Sequence, residues 1–484
     1  MRIAQIYPRR KKCPAEYMQI EQRSHMRVLL VQFAKRHSRK FPITPSLPLA
    51  INLSKMPLSQ LLSRRFLALK LMRMKDEATG AKRSRWRHVA FTLMVATIRV
   101  VFLIGIRLVY RVRAVHAERV PASGGVLLLP NHVTFADAFF LSAACPRPIR
   151  FVMDEAFIAS PVIRWFTGIF GTVNIRRDQP LEAIREVIKA LKKGDVVCLF
   201  PEGQLTRTGT LCTLQRGFEL IASKAGHPLI PVWSDGSWGS IFSYERNRYF
   251  KKLPRRNIGG IRIAFGETLV AKGANAQSVR DGIMAASTEA IAQRFARQNF
   301  PQRRTSINGH QIGMINALQR RKPFHMLKGD PLIDELSSLT QGFAKRFRAK
   351  LRILDHFDAS DGMPWVGGDF LREKIRSAPA SPQAFAFYDF GSQALVPFER
   401  NDCSHYPCLA VDGVVVAMSM PDPTPGIGVD PQYGRRANSW GKLLPGWKVS
   451  SSAPRRVFGP AADAAGLALP QGCALDDEGF LIQG

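Results

Sequence analysis

From residue 113 the chain alternates between two kinds of hydrophobic pattern. GGVLLLPN (124–131), IRFVMDE (149–155), DVVCLFPEG (195–203), PLIPVWSDG (228–236) and GGIRIAFGETL (259–269) are short, continuously apolar runs bounded by Gly, Pro or Asp. Each predicts a buried strand. Between them lie helical signals. DAFFLSAAC starts at Asp137, and RGFELIASKAG closes at Gly226. SVRDGIMAASTEAIAQRFARQ forms a long last segment, and in PLEAIREVIKALKKG apolar residues fall at 181, 184, 187, 188 and 191 before a Gly194 stop. Strands alternating with helices predict an α/β domain with a mostly parallel sheet flanked by helices. In Leu229-Ile230-Pro231-Val232 the proline, having no N–H, is expected to break the ladder.

Residues 89–110, VAFTLMVATIRVVFLIGIRLVY, form the most apolar window and are long enough to span a bilayer. Arg99 stands in the middle, where a cation costs roughly 2.5–3.5 kcal/mol on insertion scales. At 100° per residue Arg99, Arg107 and Arg111 fall within about a third of a turn, so a helix lying in the interface is favoured over a transmembrane one. Upstream, PITPSLPLAINLSKMPLSQLL is interrupted by Pro and Ser, while 58–74 has amphipathic spacing. Beyond residue 300 a basic, helical-looking stretch gives way to a segment rich in Pro, Gly and Asp with short strands such as LAVDGVVVAMSM. The expected organisation is a basic, partly disordered arm (1–86), an interfacial or transmembrane helix (87–112), a catalytic α/β domain (113–300), a helical linker (301–345) and a small β-rich C-terminal segment (346–484).

Charge adds a partner to this picture. The 484 residues hold 70 Lys and Arg against 37 Asp and Glu, a net of +33, and residues 1–88 alone hold 21 basic and four acidic residues. Such an arm seeks a polyanion, either nucleic acid or an anionic lipid surface. With 46% hydrophobic residues the chain has enough apolar material for a core, which excludes wholesale disorder. Seven irregularly spaced cysteines point to free thiols in a reducing compartment. Cys403, His405 and Cys408 make one short cluster, too few ligands for a metal site without a second cluster. The first residues lack the apolar core of a signal peptide.

Candidate chemistry collects where strands end. Asn131-His132-Val133-Thr134-Phe135-Ala136-Asp137 follows VLLLP, at the mouth of the sheet, where α/β sites are usually built. Asp137, in the first turn of the next helix, could fold back to hold one imidazole nitrogen and leave the other as a base. Phe200-Pro201-Glu202-Gly203-Gln204-Leu205-Thr206-Arg207-Thr208-Gly209 follows VVCLF, so the two turns point to one cleft. Glu202 suits hydroxyls and Arg207 suits a phosphate. Arg176 and Arg177 after a β-type run are a second phosphate candidate or a solvated edge.

Taken in order, N-H-V-T-F-A-D, G…I-R-R, F-P-E-G-Q-L-T-R-T-G and L-I-P-V resemble the four blocks of the glycerolipid acyltransferase family, which includes the 1-acylglycerol-3-phosphate acyltransferases. The resemblance covers about residues 100–300. Longer strings, VVCLFPEGQLTRTGTL…RGFELI and IPVWSDGSWGSIF, look closer to the bacterial fusions of a lysophospholipid acyltransferase with an acyl-acyl-carrier-protein synthetase. The resemblance implies His132 as general base on a lysophospholipid hydroxyl, with Asp137 orienting the ring. It implies an acyl thioester of coenzyme A or acyl carrier protein as co-substrate, with no metal and no other cofactor. Asn131, Thr134, Arg177, Glu202, Gly203 and Arg207 would contact substrate, Arg177 matching the second-block arginine. No Ser or Cys is placed as a nucleophile, so no acyl-enzyme is implied. Two departures stand out. Leu205 occupies the third block's usual arginine position, and Asp154-Glu155 precede the second block where many relatives have a basic residue. A less anionic acceptor, such as lysophosphatidylethanolamine, is compatible with both.

Near the C-terminus, SWGKLLPGWKV and DDEGFLIQG resemble the end of the large lobe of AMP-forming acyl synthetases. A Ser/Thr/Gly-rich phosphate loop is absent upstream, so a truncated portion without adenylation activity is expected. The whole reads as a membrane-associated acyltransferase of phospholipid biosynthesis or remodelling. It would work at the cytoplasmic face of the inner (plasma) membrane, on an anionic surface, with no nucleic acid as partner. The alternatives are a decayed basic membrane- or nucleic-acid-binding protein and an acyltransferase for a non-lipid alcohol.

Overall fold

A computed structural model describes residues 81–154, 167, 172–175, 180–244, 260–296, 324–331 and 351–483, apart from 392–394, 397, 413, 426–429, 453, 461 and 463. Residues 1–80 of the basic arm, the Arg176–Arg177 pair and most of 301–345 lie outside the described residues. The chain divides into two compact units, 1–105 with 153–179, and 106–152 with 180–484.

Helix α1 (Ala81–Val109) carries the apolar window of the sequence. Leu93, Met94, Ile98, Val100, Val101, Ile104, Leu108 and Val109 are exposed. At 100° per residue they cover about half of the helix circumference. Among the described residues no helix is long and apolar enough to cross a membrane. Strand β4 (Thr172–Ile175) lies in the first unit.

In the second unit, β1 (Arg113–Val115), β2 (Val126–Pro130), β3 (Ile149–Asp154, within this unit as far as Val152), β5 (Val196–Cys198), β6 (Leu229–Asp235) and β7 (Arg262–Phe265) form a sheet in the order β1-β7-β6-β2-β5-β3. All neighbours are parallel except β6 and β7. Helices α2 (Asp137–Ala144), α3 (Pro180–Lys192), α4 (Gly217–Ala225) and α5 (Ala276–Ala296) follow the expected alternation. Every residue of β2, β5, β6 and β7 is buried. That explains their continuous rather than alternating hydrophobicity. Each such Leu, Val or Phe contributes roughly 1.5–3 kcal/mol of burial.

Pro231 does not break its strand. Its carbonyl accepts the Gly266 N–H at 2.8 Å, and the regular β6–β7 pairing begins one residue later at Val232–Phe265. The missing N–H therefore falls where that ladder has already ended. Helix α5 closes over the proline because Gly282 has no side chain: a Cβ there would stand 2.5 Å from Pro231 Cγ.

The C-terminal part is larger than a small β-rich segment. Its main strands are β8 (Phe324–Leu327), β9 (Leu351–Leu354), β10 (Trp365–Gly367), β11 (Phe385–Asp389), β12 (Cys403–Val411), β13 (Val414–Met418) and β14 (Ser439–Leu443). A three-stranded sheet of β15 (Lys448–Val449), β16 (Arg456–Phe458) and β17 (Leu467–Ala468) follows, and β18 (Cys473–Leu475) and β19 (Phe480–Gln483) complete the large sheet. Its nine strands run β18-β19-β14-β13-β12-β11-β10-β8-β9, parallel from β12 to β9 and antiparallel in the other half. Strand β8 lies inside the stretch expected to be a helical linker. Helix α6 (Asp369–Ser377) follows β10 and buries Leu371 and Ile375 against Trp365, Phe385 and Phe387.

The six described cysteines are free. Cys403 and His405 share one face of β12 and Cys408 lies on the other, since successive side chains alternate. His405 Nε2 is 2.8 Å from Asp389 Oδ2. The three therefore do not converge on one point.

Candidate active site

The two turns picked out in the sequence meet. Strands β2 and β5 are parallel neighbours, paired from Val126–Val196 to Leu128–Cys198, so their carboxyl ends open on the same edge. The turn after β2 carries His132 and the turn after β5 carries Glu202.

Asp137, at the first residue of α2, turns its side chain back over the loop and is fully buried. Its Oδ2 accepts the main-chain N–H groups of Val133 at 2.7 Å and Thr134 at 2.8 Å, and lies 3.1 Å from His132 Nδ1. Its Oδ1 accepts the Thr134 hydroxyl at 2.8 Å. Thr134 Oγ1 in turn accepts the Ala136 N–H at 3.1 Å. A buried carboxylate is tolerable only when its lone pairs are filled, and four donors fill them here. An ionised carboxylate can only accept, so the histidine proton sits on Nδ1 and Nε2 carries the basic lone pair. Among the described residues Nε2 has no hydrogen-bond partner. The ring stacks on Phe200, with centroids 3.9 Å apart and planes inclined by 21°. The His132 side chain remains 21% exposed while Asp137 is sealed, so one nitrogen faces the carboxylate and the other can meet a substrate.

The main chain of His132 is clamped at both ends. Its N–H donates to Glu202 Oε1 at 2.5 Å, and its carbonyl accepts the Thr206 N–H at 2.8 Å. Glu202 Oε2 accepts the Cys212 N–H at 2.8 Å. Both Glu202 oxygens thus serve backbone donors and the residue is 1% exposed, which differs from the expected contact with substrate hydroxyls. Burial pushes its carboxyl above the usual range, against the pull of the Cys212 and His132 N–H groups. Two buried cations act on it electrostatically, Arg280 of α5 and Lys442 of β14. Arg280 also donates to the Cys212 carbonyl at 3.0 Å. Burial lowers both cations' affinity for their protons, which the negative charge of Glu202 counters.

Asn131 is buried and extends the sheet by one side chain. Its Oδ1 accepts the Ser234 N–H at 2.6 Å and its Nδ2 donates to the Ser234 carbonyl at 3.4 Å. Its place is between β2 and β6, holding the start of the His132 turn rather than facing a ligand. Gly203 turns the loop with φ 65°, a left-handed conformation that suits glycine. Arg207 is half-buried; its Nη1 donates to the Thr424 carbonyl at 2.5 Å and its guanidinium lies 4.4 Å from the Tyr244 ring centroid. Arg177 lies outside the described residues.

Sequence reasoning missed Phe200, Thr206, Cys212, Arg280 and Lys442. Phe200 and Thr206 stood inside the quoted block and Cys212 soon after it. Arg280 had only its place in the second turn of a long helix, and Lys442 only its place in the short strand SWGKL.

Residues 111–235 match the family model described as Acyltransferase. A chloroplast 1-acyl-sn-glycerol-3-phosphate acyltransferase of Arabidopsis thaliana is 26% identical over 127 residues, 25% of this chain and 35% of that protein. The 1-acyl-sn-glycerol-3-phosphate acyltransferase of Pseudomonas aeruginosa is 27% identical over 182 residues, 37% of this chain and 65% of that protein. The chain thus spans about a third of the first of these relatives and just under two thirds of the second. The crystal structure of a 1-acyl-sn-glycerophosphate acyltransferase from Thermotoga maritima aligns at 18% identity with a TM-score of 0.34, over 47% of this chain and 94% of that one, a likeness too low to carry the fold. Residues 111–235 are an acyltransferase domain of the 1-acylglycerol-3-phosphate acyltransferase type.

Proposed function

We propose that the protein is an O-acyltransferase of phospholipid biosynthesis or remodelling. It moves a fatty acyl group from a thioester of coenzyme A or acyl carrier protein to the free hydroxyl of a lysophospholipid, 1-acylglycerol-3-phosphate first among them. The observation that carries this is the His132–Asp137 pair, 3.1 Å apart, with the carboxylate sealed and the ring reachable. Nε2 takes the hydroxyl proton as the acceptor oxygen attacks the thioester carbonyl. The C–O bond forms, the C–S bond breaks, and the imidazolium returns its proton to the departing thiolate. Asp137 keeps the ring in the reactive tautomer and offsets the positive charge that grows on it. Cys198 and Cys212 are fully buried and their thiols are pushed well above the usual range, which makes them poor nucleophiles.

Membrane attachment follows from the exposed apolar half of α1 and the positive charge of residues 1–88. An apolar helix face with a basic neighbourhood lies in the interface of an anionic bilayer, here the cytoplasmic face of the inner membrane. A second acceptor reading, a zwitterionic lysophospholipid such as lysophosphatidylethanolamine, is favoured by Arg207. That cation is already engaged by Thr424 and Tyr244, and Leu205 adds none.

The test is transfer of a labelled acyl group from its coenzyme A and carrier-protein thioesters to a panel of lysophospholipids in anionic vesicles. Labelled diacyl product is expected from at least one acceptor. No product with any pairing overturns the proposal, and a preference for lysophosphatidylethanolamine over 1-acylglycerol-3-phosphate selects the second reading.

A further inference from the structure

The turn after β5 is held from two sides. On one side Thr206 N–H reaches the His132 carbonyl and Glu202 reaches the His132 N–H. On the other side stands a strap of the C-terminal part, within the same compact unit. Gln432, 8% exposed, grips the backbone on both sides of Thr206: its Nε2 donates to the Leu205 carbonyl at 2.8 Å, and its Oε1 accepts the Arg207 N–H at 2.8 Å. This two-bond pattern replaces a strand neighbour. Nearby, the Asp430 carbonyl accepts Gln204 Nε2 at 3.2 Å, Asp430 Oδ2 accepts Gln215 Nε2 at 3.0 Å, and the Thr424 carbonyl accepts Arg207 Nη1. Five bonds from three residues of one strap therefore fix a loop of the other part. Lys442, from the same C-terminal part, adds its charge behind Glu202.

We infer that Gln432 is a positioning residue for His132. It acts through the 205–207 backbone, so that the C-terminal part completes the acyltransferase site rather than merely following it in the chain. The inference rests on the proposed function for its kinetic consequence but not for its geometry. Without the amide of Gln432, nothing else described fixes the Leu205 carbonyl and the Arg207 N–H. Thr206 keeps its hydroxyl bonds to the Thr210 carbonyl at 2.7 Å and the Gly209 N–H at 3.1 Å, but the peptide groups on either side of it lose their anchor, so its N–H can shift against the carbonyl end of His132. Catalytic geometry is sensitive to displacements of this kind, and about tenfold to a hundredfold in kcat is the scale expected.

The test compares wild type with Gln432→Met, which fills the same volume and removes both hydrogen bonds. Gln215→Ala, which frees an exposed edge of the strap without touching the core, backs it up should the first variant fold poorly. Asp355→Asn, on an exposed ion pair remote from the strap, serves as control. Two quantities are read on the full-length folded protein: kcat against the KM of the acyl thioester, and the proton resonance of His132 Nδ1–H, assigned by its loss in His132→Ala. In Gln432→Met kcat falls about tenfold or more with KM held, and the resonance is broadened or displaced. Gln215→Ala shows the same change to a smaller degree, and Asp355→Asn shows neither. A merely structural role lowers the folded fraction and leaves the resonance of the folded molecules in place. An unchanged resonance and unchanged kcat in folded Gln432→Met overturn the inference. If the wild type transfers no acyl group but the resonance still moves, the proposed function fails while the positioning role stands.

Discussion

Asp137→Asn separates the charge of the carboxylate from its geometry. The Asn oxygen can occupy the place of Oδ2 and keep the Val133 and Thr134 N–H bonds, and the Thr134 hydroxyl can turn to accept from the new amide. The loop therefore persists and the Nδ1–H tautomer of His132 is retained. What is lost is the attraction between the carboxylate and the imidazolium that forms in the transition state. At 3.1 Å and an effective dielectric constant of about 20 this attraction is about 5 kcal/mol. The neutral hydrogen bond that remains returns about 1 kcal/mol. The net loss of about 4 kcal/mol corresponds to roughly a thousandfold in kcat, at about 1.4 kcal/mol per factor of ten. The assay is steady-state thiol release from an acyl thioester at saturating lysophospholipid, with the melting temperature measured on the same preparation. A folded Asp137→Asn within tenfold of wild type would refute the role given to this charge.

Other consequences are open to measurement. Burial raises the Glu202 carboxyl, so between the unfolded value of about 4.3 and the higher folded value the folded protein holds the proton more tightly. Stability should fall as pH rises through that window, and Glu202→Gln should remove that slope in denaturant titrations at several pH values. At neutral pH the same variant turns an amide donor towards either the His132 or the Cys212 N–H, and loss of one charge-assisted bond should cost roughly 1.5–3 kcal/mol. Asn131→Ala leaves the buried Ser234 N–H and carbonyl unpaired and should lower stability by about 1–3 kcal/mol in urea unfolding, with a parallel loss of activity. Iodoacetamide should leave acyl transfer intact under native conditions, because burial raises the thiols of Cys198 and Cys212; inactivation traced to either residue would revive a thiol nucleophile.

The first sheet was legible because its signals are local. VLLLP, VVC and LIPVWSD are buried on both faces, so each reads as a strand without knowledge of its neighbours. His132 and Asp137 were legible for a similar reason: five residues and one turn of chain decide whether they meet. Glu202 was found but given a different task, because a sequence does not display main-chain N–H groups and these are what fill its oxygens. Arg207 looked available for phosphate, yet the residues that engage it include a carbonyl more than two hundred positions away. The same distance hides Gln432 and Lys442. Strand β8, four residues long amid basic neighbours, is stabilised by parallel partners at 351–354 and 365, and its own pattern does not announce them.

The central claim is that the imidazole of His132 takes the proton of the acceptor hydroxyl. Its most direct test is acceptor-dependent thiol release, measured side by side for wild type and His132→Ala with the same acyl thioester and lysophospholipid. Wild type should release thiol only when the acceptor is present, and His132→Ala should stay at background under both conditions. Acceptor-dependent release by His132→Ala at a rate near wild type would contradict the account.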